Sequence, residues 1–206
     1  MAKNKSSEGV SAHRIEALTD GIFAFAMTLL VLSINIPLST KALAGMSVSD
    51  TLLEQTDRFV NYAMSFLLLA IFWVSHHRVF DHLKCVDWKL VWGNILVLLF
   101  VALIPFATEL VNEFPKDSTS DFLFSLNLFI IGSLYYLLWD YATSGFRLVK
   151  STLGDDHIKN TKRGILVIPI VSLFAMVIAV IYPAFSSFIY ILIPIFLFMP
   201  SLTKKH

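Results

Sequence analysis

The chain is poor in charge and nearly without cysteine. Of its 206 residues, 16 are Lys or Arg and 15 are Asp or Glu, 15% together, for a formal net charge of +1. A soluble domain carries roughly 25% charged residues. So even a balance of charge offers no basic surface for nucleic acid. The single cysteine, Cys85, excludes an intrachain disulfide and any Cys-x-x-Cys metal or redox pair. A Gly-rich phosphate loop, a Ser/His/Asp set and paired catalytic carboxylates are all lacking, so no enzyme is predicted. The chain also lacks an internal repeat, a low-complexity tract and any polar stretch long enough for a soluble domain.

What is present is apolar. Hydrophobic residues make up 56% of the chain, and the mean hydropathy is +0.72. Six apolar runs occur, at about 15–36, 55–76, 88–110, 121–143, 163–182 and 184–200. A helix needs ~20 residues to cross ~30 Å of hydrocarbon. The runs are continuous, not alternating, and open sheet edges cannot face lipid. The prediction is an all-α integral membrane protein, one six-helix domain over 1–206, with the last two spans joined tightly at Tyr182-Pro183. Lys and Arg are unevenly shared between the two sets of connections. Lys3, Lys5, Arg14, the second and fourth connections and the tail hold thirteen of the sixteen, against Lys41, Arg58 and Lys116 on the other side. The positive-inside rule then puts both termini in the cytoplasm. A cleaved signal ending at Ala42-Leu43-Ala44 is the competing reading of the N-terminus. Its apolar stretch is too long, and Glu16 and Asp20 stand where a signal has no acid.

Ionisable residues beside hydrocarbon are costly unless they face protein, water or a partner charge. Arg14 and Asp20 open the first span six residues apart, under two helical turns, and are expected roughly on one side. Beyond them, Gly21, Phe25, Thr28, Leu32 and Asn35 recur at spacings of four and three, which makes one stripe. A stripe of small, hydroxyl and bulky apolar residues suits either a pore wall or a seam between helices. The second connection reads Ser75-His76-His77-Arg78-Val79-Phe80-Asp81-His82 and invites a metal site. With no second histidine cluster, one or two of these histidines are expected instead to bond a buried carboxylate such as Asp20. Asn94 in the third span should find a partner on another helix, and Pro105 should bend that span. Trp73, Trp88, Trp92 and Trp139 lie near span ends, where interfacial anchoring would place them.

Arg14-x-x-x-Leu18-Thr19-Asp20-Gly21 resembles the Arg-x-x-x-Phe-Ser-Asp signature of the prokaryotic relatives of the lysosomal potassium channel transmembrane protein 175. Ala24 through Leu32 is similar to that family's pore helix. A second similar stretch runs from His76-His77-Arg78 through Asp87, Leu90, Asn94 and Leu98 to Pro105-Phe106. The resemblance implies a homotetramer of six-span subunits in a prokaryotic plasma membrane, with four first helices around a pore. It places Phe25, Leu29 and Leu32 at the constriction and Thr28 in a layer linked to potassium preference. Arg14, Thr19 and Asp20 fall in the signature, with His77 and Asn94 as candidate partners. Leu18 replaces Phe, Thr19 replaces Ser, and Phe25 stands where the family has a branched aliphatic residue. The implied function is a weakly selective, potassium-permeable channel that needs no cofactor beyond the permeant ion. The alternatives are a proton-coupled carrier using Asp20 with His76, His77 and His82, and a scaffold without transport.

Overall fold

The structure, a computed structural model, describes residues 12–35, 47–115, 117–182, 189, 190, 192 and 193. Helix α1 spans Ala12–Leu29 and tightens into a 3-10 turn, Leu30–Ser33. Then come α2 (Val48–Glu54), α3 (Thr56–Asp81), α4 (Trp88–Ala102), α5 (Ile104–Glu113), α6 (Ser118–Thr143) and α7 (Asp155–Ile181). The described residues form no strand; Leu83 and Val149 make one isolated bridge. Five segments are long and apolar enough to cross a membrane: Ala12–Ser33, Thr56–Asp81, Trp88–Glu113, Ser118–Phe146 and Asp155–Ile181. Nearly all of the expected sixth span, 184–200, lies outside the described residues. Of its length, Tyr190 and Ile193 are seen buried in the bundle.

Side chains set the helix boundaries. Ser47 and Asp50 form a reciprocal capping box that starts α2, a short helix the hydropathy pattern did not reveal. Asp87 caps α4 by accepting from the Leu90 N–H at 2.9 Å. Burial works to raise the Asp87 carboxyl. The Tyr141 hydroxyl at 2.5 Å, the Leu90 N–H and the charges of Arg147 and Lys89 outweigh it and hold the group below its ordinary value. Pro105 bends the third span as expected. It occupies the first turn of α5, and the helix breaks at Leu103, two residues before it.

The second span departs from its expected end. Helix α3 runs on to Asp81, so Ser75–Asp81 is the last part of a helix, not a connection. No Gly or Pro interrupts it, and Arg78 in the last turn suits the negative end of the helix dipole. The most extensive helix contact is between α6 and α7. It is close because Gly132 lets α7 approach: a Cβ there would stand 2.7 Å from Pro169 Cδ. The core around Phe72, Leu98, Leu128, Ile131 and Trp139 knits α3, α4 and α6 together. Trp139, expected as an interfacial anchor, is instead fully buried, its indole N–H donating to the Ile158 carbonyl at 3.2 Å. A buried indole finds such an acceptor in the protein rather than at a lipid headgroup.

Candidate functional site: the first helix and its two anchorages

One face of α1 is packed and the other is bare. Ile15, Thr19, Phe23, Ala26, Leu30 and Ser33 are buried against α3, α4 and α5. On the opposite side Gly21, Ala24, Phe25, Thr28, Val31, Leu32 and Asn35 are exposed, Phe25 and Leu32 each at 65%. This bare face contains the stripe read from the sequence. Leu29 lies at its margin, half-buried. The Thr28 hydroxyl donates to the Phe25 carbonyl at 2.8 Å. Its hydrogen is therefore used within the helix, and its lone pairs remain for an outside donor or a cation.

At the Thr19 end, polar side chains tie α1 to its neighbours. Asn94 on α4 donates to the Thr19 hydroxyl at 3.0 Å, and its carbonyl oxygen meets His76 Nε2 at 3.1 Å. All three residues are buried. In hydrocarbon, each polar group needs such a partner. His76 also stacks on Phe80, centroids 4.0 Å apart.

Three expectations fail at this end. Asp20 is exposed, not buried, and accepts from the Trp73 indole at 2.8 Å instead of from a histidine. His77 reaches that contact only indirectly, by stacking on Trp73. The partner of Asn94 is His76, because one step along α3 turns a side chain by about 100°. His76 shares the buried face of Phe72, Val79 and Phe80. Arg14 and Asp20 are both exposed and do not pair. Six residues rotate a helix by about 600°, leaving the two about 120° apart around it. The ion pairs among the described residues are Arg58–Glu109, Arg58–Glu113 and Lys162–Asp140.

Residues 14–105 match the family described as the endosomal/lysosomal potassium channel TMEM175. A potassium channel of Streptomyces collinus is 34% identical over 134 residues, 63% of this chain and 64% of that protein. A potassium channel of Chamaesiphon minutus is 32% identical over 139 residues, 66% of this chain and 68% of that one. The chain belongs to the TMEM175 family. The matched stretch thus spans about two thirds of these relatives' own length. The crystal structure of a lysosomal potassium-selective channel TMEM175 homolog from Chamaesiphon minutus superposes with a TM-score of 0.81 at 25% identity. The superposition covers 92% of this chain and 97% of that one.

The TMEM175 signature alone did not disclose the anchorage at the other end of α1. The Ser33 carbonyl, left free where the 3-10 turn ends, accepts from Arg58 Nη1 at 3.2 Å and Asn112 Nδ2 at 3.3 Å. Arg58 Nη2 also meets Glu113 at 2.6 Å, and Nη1 meets Glu109 at 3.4 Å. Asn35 donates to the same Glu109 oxygen at 3.0 Å, and Asn61 donates to Asn112 at 2.8 Å. A signal for this cluster was present in the sequence. Glu109 closes the third apolar run, and an acid at that position calls for a partner.

Proposed function

We propose that this chain is the subunit of a weakly selective, potassium-permeable channel in a prokaryotic plasma membrane. Four copies place the bare face of α1 around a common axis. The observation that carries this reading is the composition of that face. It exposes Gly21, Thr28 and Asn35 among apolar residues on a helix whose other side is fully packed. Lipid gives no reason to line a helix with an amide and a hydroxyl, whereas a water-filled axis does. The whole chain, 1–206, forms the channel domain, with both termini in the cytoplasm. No catalytic step and no cofactor enter this reading.

Phe25 and Leu32, with Leu29 beside them, form the apolar constriction. Such rings gate by dewetting and supply no ligands to replace an ion's water. An ion must then carry or partly shed its hydration, at a lower cost for large monovalent ions than for small or divalent ones. Thr28, its hydrogen held by Phe25, offers acceptor lone pairs next to the constriction. Modest preference for potassium over sodium follows. Thr19, Asn94 and His76, with Asp20, Trp73 and His77 next to them, hold the cytoplasmic end of the pore helix in place; Arg14 lies one turn further out. The carrier reading needs Asp20 to work with the histidines, and Asp20 instead bonds Trp73.

Reconstitution in liposomes under opposed potassium and sodium gradients tests the proposal. The expected result is a potassium-directed reversal potential and negligible divalent permeation. A protein that is tetrameric and folded but passes no cation would sink it.

A further inference from the structure

Far from α1, two histidines from different connections face each other. His82 ends α3, and His157 lies in the first turn of α7. Their Nε2 atoms are 2.9 Å apart, with the rings nearly perpendicular at 86°. We propose that His82 and His157 form a two-histidine site for a divalent transition metal ion. On binding, the ring that now donates from Nε2 would carry its hydrogen on Nδ1 instead, which frees both Nε2 lone pairs for the ion.

Geometry selects the class of ion. At a metal–imidazole bond of ~2.0–2.1 Å, nitrogens 2.9 Å apart subtend about 90° at the ion. That is the cis angle of octahedral or square-planar coordination, which Ni²⁺ and Cu²⁺ adopt. A tetrahedral ion such as Zn²⁺ needs the nitrogens a few tenths of an ångström further apart. The described residues contain no group of three or more His, Cys, Asp or Glu able to hold a metal, so water completes the coordination.

The ligands are also held in advance, which a site of only two protein ligands requires. The His82 backbone carbonyl accepts from the Lys150 N–H at 3.2 Å, and the Lys84 N–H donates to the Leu148 carbonyl at 2.8 Å. The Leu83–Val149 bridge lies between these bonds. The His82 ring leans on buried Trp139, centroids 6.3 Å apart. The Lys150 ammonium donates to the Asp81 carbonyl at 3.1 Å. His157 is exposed, so an ion has open access. A bound ion would staple the end of α3 to the start of α7. The inference does not depend on what passes along α1.

Calorimetric titration of the full-length protein in detergent, purified without a polyhistidine tag, tests it. Ni²⁺ is the probe because it does not oxidise the exposed thiol of Cys85. The expected result is one Ni²⁺ per subunit with Kd in the micromolar range. His82→Ala and His157→Ala should each weaken binding at least about tenfold, an effect of the size seen when a metal site loses a supporting group. Cys85→Ser and His13→Ala should bind as the parent does. His157→Asn, an exposed and conservative change, supplies the answer should His82→Ala fail to fold. No heat up to millimolar Ni²⁺, or undiminished binding in folded His157→Asn, overturns the proposal.

Discussion

Phe25 on α1 and Phe174 on α7 are exposed almost equally, 65% and 62%, yet their neighbours differ in kind. Around Phe174 the bare face of α7 is Ile170, Leu173, Val177, Val180 and Ile181, all large and apolar. Around Phe25 it is Gly21, Thr28, Leu32 and Asn35. The buried faces differ in the opposite sense. Helix α7 meets α6 through tight apolar packing at Gly132 and Pro169, whereas α1 is held at each end by buried hydrogen bonds. Exposure alone therefore does not separate lipid-facing from axis-facing surface. What distinguishes the two exposed faces is their mixture of sizes and polarities.

The strongest break of this contrast is a pair of glycine substitutions. Gly132→Val drives side-chain atoms into Pro169 and should cost the fold about 1–3 kcal/mol or more. It would be read as lost monodisperse yield and a lower Tm. Gly21 has nothing within 4 Å of its would-be Cβ. Gly21→Val should leave subunit helicity intact and suppress ion flux by crowding the axis. Equal loss of folded protein in both variants would show that Gly21 is packed like Gly132.

Next is the polar tie. Asn94→Leu strands Thr19 and His76, each at about 1–3 kcal/mol for a buried group left unpaired. Thermal unfolding should show a large drop. A Tm near that of the parent would mean that the three residues contribute little to holding α1.

Smaller in energy but sharper for function are the two phenylalanines. Phe25→Ala should raise single-channel conductance several-fold and reduce selectivity, while Phe174→Ala should change neither. Matching behaviour of the two variants would remove Phe25 from the constriction. The finest test is Thr28→Val, which keeps the shape and deletes the acceptor oxygen. The potassium/sodium permeability ratio should fall by a modest factor with stability unchanged. A constant ratio would assign Thr28 to a contact between helices.

Much of this was legible in the chain. The continuous apolar runs and scarce charge fixed an all-helical membrane protein, and the four-and-three spacing from Gly21 to Asn35 picked out the bare face of α1. Partner choice was less legible. Choosing between His76 and His77 requires the rotational phase of α3, which its apolar residues carry only weakly when both faces of the helix are hydrophobic. Trp139 read as an anchor because its distance along the chain from a span end says nothing of its depth in the bundle. Asp20 looked buried because proximity to an apolar run was taken for enclosure. Its carboxylate in fact lies beside the bare face, satisfied by one indole. The cluster at Arg58 brings residues from three segments to a single free carbonyl; Glu109 signals that a partner is needed, but nothing local names Arg58 as that partner.

The two anchorages of α1 also bear on how a passage along it would open. Thr19 is bonded to Asn94 at one end and the Ser33 carbonyl to Arg58 and Asn112 at the other. Helix α1 is thus a beam clamped at both supports, with its middle turns resting only on apolar contacts. A clamped beam neither tilts nor slides without breaking a buried bond. What it keeps is torsion about each Cα–Cβ bond at mid-span: the exposed Phe25 ring has room to turn on a helix that is itself held.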